Sequence, residues 1–310
     1  MSYQDGWAAL NLEMPDRVPR TEYSVDGYHF ALMRRVTGIP VTAESPAQER
    51  LRAAQAFRKA WAFDFAWSTL IANQIYKGFC TNMGHASYAA AGSDYDDALY
   101  CPFEDPEDVL AFDPWEAYGP IDLADMTRQF EEHYRANAAA YPDEVNMTGI
   151  YTTLMSGLIA VFGWDMLLMA CGMDGQAFGE MANRYASWMQ QFMQALAEAD
   201  VPCVMIHDDI VWTSGPFIHP DWYRKYLFPN YKKYFAPILE SGKKLIYTSD
   251  GNYTQFIDDI AATGVNGFVL EPCTDMRYIA EKYGKTHAFI GNADTRILLS
   301  GTPEEIRAEV

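Results

Sequence analysis

An α/β fold built on a parallel sheet is predicted from three observations. Four short apolar runs in the second half of the chain end in polar residues: Val204 to Asp209, Leu245 to Asn252, Phe268 to Glu271, and Ala288 to Asn292. An amphipathic segment of helical spacing follows each run, and alternation of this kind specifies parallel strands joined by crossover helices. At 310 residues the chain also has the length of one α/β barrel domain. Strands that deliver ionisable groups to their carboxyl ends are where α/β enzymes keep their chemistry, so the chain reads as an enzyme.

The elements follow in order. Residues 1–60 carry helical patterning and form an N-terminal helical extension. One helix is expected to open at Ser45, with Pro46 first inside and Gln48 completing a capping box, and to run to about Phe57. Trp61 to Trp67 reads as a short buried strand with Asp64 inside it. Residues 78–120 are rich in Gly, Asp, Pro and aromatic side chains, and are expected to make a long, mostly irregular excursion over the barrel mouth. Val145 to Tyr151 is a further strand. Phe178, Met181, Tyr185, Trp188, Met189, Phe192 and Leu196 recur at three and four residues, marking a long helix from Asp174 whose aromatic and Met stripe is core packing.

Beyond the strand ending at His207, a helix spans about Pro220 to Glu240 and stops at Gly242. The Leu245 strand leads to a helix over 254–262, Gly264 to Glu271 to a helix over 276–283, and the His287 strand to Thr302-Pro-Glu-Glu305. There Thr302 caps, Pro303 sits first inside, and Glu305 completes a capping box. About seven strands are counted before the sequence reaches its last helix, so the C-terminal strand of an eight-stranded barrel is expected to be missing from this chain.

Composition limits the functions open to it. Hydrophobic residues make up 49% of the chain and charged residues 21%, enough to bury a sizeable core. A formal charge of −19 argues against nucleic acid, whose phosphates need clustered Lys and Arg. The five cysteines are scattered and odd in number, without CxxC spacing, which fits a reducing compartment. No basic and apolar N-terminal signal is present and no apolar run reaches spanning length, so a soluble cytoplasmic protein without membrane contact is expected. No nucleotide cofactor is expected.

Segments along most of the chain resemble the uroporphyrinogen decarboxylase superfamily, which also holds methyltransferases acting on corrinoids and coenzyme M. The matching residues are Asp208-Asp-Ile210, Ser214-Gly-Pro-Phe217, Pro229, Ser249-Asp-Gly-Asn252, Gly264-Val-Asn-Gly267, Glu271-Pro272, Gly291-Asn292-Ala-Asp294 and Gly301-Thr-Pro-Glu-Glu305. Upstream, Pro15-Asp-Arg-Val-Pro19, Asp64, Met83-Gly-His-Ala86 and Thr153-Leu-Met155 also fit. The resemblance implies one distorted (β/α)8 TIM barrel over 1–310, with its site at the carboxyl ends of the strands.

Departures from the family pattern narrow the branch. The decarboxylases carry an N-terminal Arg-x-Ala-Gly-Arg segment for the substrate's carboxylates, whereas here Arg34-Arg35 lies in Ala-Leu-Met-Arg-Arg-Val. Without those arginines a multiply anionic porphyrinogen would be poorly neutralised. Methyltransferase relatives hold zinc through a His-x-Cys pair, and the corresponding residues are Thr248-Ser-Asp250. A threonine is a poor zinc ligand, and Asp offers hard oxygen where soft thiolate is expected.

The candidate residues carry bland readings beside the functional ones. Adjacent side chains on a strand point to opposite faces, so at most one of Asp208 and Asp209 enters the mouth, and the other caps a turn or helix. Asp250 either acts in the site or closes an Asx-turn with Asn252. Glu271 is a cavity acid or the partner of a Lys, and His207 a site residue or a satisfied core histidine. His85 closes over the substrate or ties its loop. Asp208, Tyr247, Thr248, Asn252, Asn292 and Asp294 are expected to supply polar groups to a substrate, with Tyr247 alternatively buried.

Asp64, Asp209, Asp250 and Glu271 are thus the expected catalytic acids, and His207, Asp250 and Glu271 the expected ligands of a divalent metal such as zinc. Without metal, clustered carboxylates raise one another's pKa and give a general acid beside a base. The resemblance implies methyl transfer between a small methylated substrate and a corrinoid carried by a partner protein, since no Asp-x-His-x-x-Gly cobalamin signature occurs in the chain. Two alternatives stay open: decarboxylation of a tetrapyrrole or smaller acid using Asp64, and a non-catalytic small-molecule-binding barrel. A homodimer is compatible with the family.

Overall fold

The computed structural model describes all residues except 1–2, 23–28, 83–87, 90–91, 94–99 and 310. His85 therefore lies outside the described residues. The N-terminal part holds α1 (Tyr3–Leu10), α2 (Phe30–Thr37) and α3 (Ala47–Trp61), then the short strand β1 (Phe65–Ala66). Helix α3 opens one residue later than the sequence suggests. Its N-cap is Pro46, which offers no side-chain acceptor, and the Ser45 hydroxyl instead takes the amide of Thr42. Trp61 closes the helix and does not begin a strand.

The excursion holds the two-residue strands β2 (Tyr88–Ala89) and β3 (Gly92–Ser93), and is more regular than its composition suggests. Helices α4 (Pro106–Ala111) and α5 (Pro114–Tyr118) both start on an Asp cap followed by Pro. Helix α6 (Leu123–Ala140) then leads to β4 (Val145–Asn146) and β5 (Thr148–Ile150).

Two long helices, α7 (Met155–Met173) and α8 (Gly175–Glu198), pack against each other and lead to β6 (Cys203–His207). The Asp174 carboxylate opens α8 by accepting from the amides of Gln176 and Ala177 at 3.0 and 2.9 Å. Replacing it with Ala should cost about 1 kcal/mol, read as a lower urea midpoint at unchanged m-value.

The antiparallel pair β7 (Val211–Trp212) and β8 (Gly215–Pro216) follows, then α9 (Pro220–Trp222), a π-helical turn over 223–227, and α10 (Phe228–Glu240). The remainder alternates: β9 (Lys244–Thr248), α11 (Ile257–Ala261), β10 (Gly267–Val269), α12 (Met276–Tyr283), β11 (Ala288–Ile290), α13 (Thr295–Ser300) and α14 (Pro303–Glu309). Both halves of the capping box form, with the Glu305 amide donating to Thr302 Oγ1 and the Thr302 amide to Glu305 Oε2.

All strands of the main sheet are parallel, in the order β11-β10-β9-β6-β5, and β1 pairs in parallel with β4. The chain passes from β4 through Met147 into β5, and Ile71 bridges Ile150, so the two ladders form one curved wall. Beyond β1, Arg20 bridges Phe63. A cleft of about 1270 Å³ separates that segment from β11, lined by Phe65, Trp67, Phe289 and Ile290 among others. No strand pairs with the outer edge of β11 among the described residues.

Side-chain alternation divides the core. Cys203 and Met205 of β6, Ile246 of β9, Val145, Met147, Phe65 and Ala288 fill the concave side, where Leu10 and Trp7 of α1 close the amino end. Val204, Ile206, Leu245, Tyr247 and Phe268 point outward to the helices. That division decides which strand-end residues can form a site: on β6 the odd-numbered positions face in, and on β9 the even-numbered ones do.

Helix α7 is long and apolar enough to cross a bilayer, yet most of it is buried inside the protein.

Candidate active site

Two tiers of side chains crown the concave face at the carboxyl ends of the strands. Ladder pairing of Ile150 with Ile206, His207 with Thr248, and Thr248 with Val269 sets the first tier as Tyr151, His207, Thr248 and Val269. Two residues further on, the same face carries Asp209, Asp250 and Glu271. The backbone locks the second tier: the Asp250 amide donates to Asp209 Oδ1 at 2.9 Å, and the Gly251 amide to Glu271 Oε2 at 2.8 Å. Gly251 has φ 81°, and a Cβ there would lie 2.7 Å from the Val211 carbonyl, so only glycine fits under the β7–β8 hairpin.

His207 is held from three sides. Its ring stacks on Tyr151 with centroids 4.1 Å apart and planes within 2°. Nδ1 lies 2.8 Å from the Tyr151 carbonyl, which can only accept, so Nδ1 carries a proton. Nε2 lies 3.2 Å from Asp209 Oδ1. Burial by itself would lower the imidazole pKa. The hydrogen bond and charge of Asp209, the Tyr151 carbonyl and the charge of Asp250 outweigh it and raise the pKa to about 8. Burial and the neighbouring charges of Asp209 and Glu271 push Asp250 up to about 6, against the pull of His207. One donor atom each from His207, Asp209 and Asp250 lies within 4.8 Å of the others, close enough to share a metal ion.

Other expected site residues are placed elsewhere. Asp208 faces outward and is fully buried; its carboxylate accepts the amides of Leu154, Met155 and Ser156 at 3.1, 3.0 and 2.5 Å and the Tyr231 hydroxyl at 2.5 Å. It caps α7 and does not face the mouth. Tyr247 is likewise fully buried on the outer face and donates its hydroxyl to the Asp208 carbonyl at 3.1 Å. Both substrate-binding expectations are corrected by strand alternation.

Asp64 precedes β1 and so lies at the amino end of the parallel wall, opposite the site, where Arg17 Nη2 stands 2.5 Å from its Oδ1. The catalytic expectation for Asp64 fails because the strand begins after it. Asp294 caps α13 by accepting the Arg296 amide at 2.8 Å, and the hydrogen bonds from Arg296 lower its pKa to about 2. Asn252 accepts the Thr254 amide at 3.1 Å in a turn. Asn292 lines the cleft beyond β11. Glu271 faces the cluster but is not part of the metal-capable triad; Asp209 takes the place expected for it. Tyr151 and Ser156, whose hydroxyl accepts the Asp209 amide at 2.7 Å, were not anticipated. The end of the 145–151 strand was the available signal for Tyr151.

The sequence matches the family described as uroporphyrinogen decarboxylase (URO-D) over residues 115–310, well over half of the chain. The chain belongs to the uroporphyrinogen decarboxylase family. A methyltransferase from Methanosarcina mazei has a similar solved structure, with TM-score 0.62 and 17% identity over 97% of this chain and 86% of that one. That likeness supports the TIM-barrel fold of this family member. A second solved structure, Streptococcus suis SuiB bound to precursor peptide SuiA, aligns with TM-score 0.23 and 14% identity over 80% of this chain and 48% of that one, too low to carry any argument. No curated protein is significantly similar to the sequence.

A thiolate-bound zinc does not fit this family member's site. The triad is one nitrogen and two carboxylates, and Cys273 lies outside it with Sγ 3.9 Å from Glu271 Oε2. The donors fit a divalent cation that accepts oxygen.

Proposed function

We propose that this enzyme of the uroporphyrinogen decarboxylase superfamily transfers a methyl group between a small methylated substrate and a corrinoid carried by a separate protein, with a divalent cation held by His207, Asp209 and Asp250. The observation that carries the reading is that triad, set at the carboxyl end of the parallel wall. The name of the structural neighbour, a methyltransferase, agrees with it. Decarboxylation through Asp64 has no support, because Asp64 lies at the opposite end in an ion pair with Arg17.

When bound, the cation would act as a Lewis acid on the heteroatom that bears the methyl group. The residues of the chain supply the rest. The Tyr151 carbonyl fixes the Nδ1–H tautomer of His207, leaving Nε2 as the donor to the cation, the usual second contact of a metal-binding histidine. The Asp250 amide aims Asp209 and the Gly251 amide aims Glu271. Glu271, the acid of the second tier outside the triad, is placed to give a proton to the heteroatom as the methyl group leaves, and to take it back in the reverse direction.

Cation binding must displace protons, because His207 has its pKa raised to about 8 and Asp250 to about 6. Both groups are protonated below their pKa values and must lose that proton to bind. Affinity should therefore rise about tenfold per pH unit between pH 6 and 8, more steeply below 6, and level off above 8. Equilibrium dialysis with elemental analysis across this range checks the binding. Transfer of methyl groups from a panel of methoxylated and methylated compounds to a reduced free corrinoid checks the reaction. A chain that binds no cation at any pH and methylates no corrinoid would sink the proposal.

A further inference from the structure

The register that builds the triad puts a fourth side chain beside it. Thr248 ends β9 and Asp250 follows it by two residues, so the two project from the same face. Thr248 is the ladder partner of His207, and the Asp250 amide reaches Asp209. His207, Asp209, Thr248 and Asp250 thus make a two-by-two patch on the concave face. Thr248 is only 5% exposed, and its Oγ1 is buried without a hydrogen-bond partner among the described residues.

That orphan hydroxyl stands out against its surroundings. The side chains on either side of it in the chain are satisfied, with Tyr247 Oη donating to the Asp208 carbonyl and Ser249 Oγ to the Asp250 carbonyl. Among the described residues two other buried hydroxyls are on the same footing, but Tyr234 is on α10 and Thr152 lies beyond β5 beside Tyr76. A buried hydroxyl is costly to leave unpaired, so a group that uses its lone pairs is expected next to it.

We propose that Thr248 Oγ1 is a fourth protein donor of the cation site, and that it strengthens binding of a hard divalent ion of the Mn²⁺ and Mg²⁺ kind more than binding of zinc. The inference rests on the cation reading of His207, Asp209 and Asp250. Three oxygen donors, one imidazole and no thiolate form a set that hard cations accept, and a threonine hydroxyl serves Mg²⁺ in phosphate-binding loops. Zinc, which favours thiolate and imidazole in a tetrahedral shell, gains little from a neutral hydroxyl.

The test is direct binding of Mn²⁺ to the purified protein, followed by electron paramagnetic resonance of the free ion, with Mg²⁺ and Zn²⁺ as competitors. Thr248→Val keeps the shape and removes the oxygen, and Thr248→Ser restores it. Thr248→Val should weaken Mn²⁺ binding by about tenfold or more while changing Zn²⁺ affinity much less, and Thr248→Ser should bind Mn²⁺ nearly as the wild type does. Thermal unfolding of each variant without cation checks that the fold survives. If the wild type binds no Mn²⁺, the cation reading of the triad fails and this inference with it. If Thr248→Val binds Mn²⁺ as tightly as the wild type, Thr248 is not a donor, and the triad reading stands without it. Equal losses for Mn²⁺ and Zn²⁺ would overturn the claimed selectivity.

Discussion

Asp209→Asn should abolish stoichiometric cation binding and reduce turnover by at least about 100-fold, while leaving the fold intact. The magnitude follows from what the carboxylate does. Loss of a mere outer-shell partner of a metal costs about 10- to 100-fold, and a direct ligand should cost no less. Asparagine is isosteric and its carbonyl can still accept the Asp250 amide, now 2.9 Å from Asp209 Oδ1. The backbone that shapes the second tier therefore survives the change.

The substitution should also lower two titrations. His207 is held up at about 8 chiefly by Asp209 against its own burial, so losing that charge should let the imidazole fall. Asp250 is held up near 6 partly by repulsion from Asp209, so it should fall as well unless the loss of positive charge on His207 compensates. Nuclear magnetic resonance titration of the imidazole reads the first directly. A His207 pKa unchanged in Asp209→Asn would mean that the 3.2 Å contact does not exist in solution. Retention of one tightly bound cation per chain would remove Asp209 from the site.

Much of this arrangement was legible in the sequence because period-two alternation is a strong signal. Apolar runs ending in acids place Asp209, Asp250 and Glu271 at strand ends, and alternation requires Asp208 and Asp209 to part company. What alternation cannot give is register, which aligns His207 with Thr248 and so chooses Asp209 over Glu271 as the third ligand. Asp64 was misplaced because the aromatic run from Trp61 to Trp67 reads as one strand, whereas the end of α3 consumes its first residue and the strand starts only at Phe65.

Helix α7 shows a different limit. It is buried on nearly every side in its first half, so its apolar residues have no helical period to detect. Its N-terminus receives no cap from its own segment either, since the residue at the N-cap is Leu154. The cap comes from Asp208, more than fifty residues later, and no local motif could have announced it. A carboxylate that looks like half of a catalytic pair is therefore spent on the scaffold.

That assignment makes Asp208→Ala the most damaging single change expected outside the cation site. The carboxylate serves three amides at the start of α7 and the Tyr231 hydroxyl, all buried. Each buried donor left without an acceptor costs about 1–3 kcal/mol. The favourable interaction of the negative charge with the helix N-terminus is lost as well. A total of about 4 kcal/mol or more is expected after partial relaxation, read as a large drop in urea midpoint. Asp208→Asn, which keeps one acceptor oxygen, should fall between the two. The scaffold role and a substrate-binding role separate cleanly here. Because Ser156 Oγ accepts the Asp209 amide at 2.7 Å, loosening the start of α7 also releases the end of β6. Cation affinity should therefore fall together with stability across Asp208→Asn and Asp208→Ala. If turnover dropped in Asp208→Asn with stability and cation affinity unchanged, the carboxylate would have to reach the substrate, and its place as the cap of α7 would be wrong.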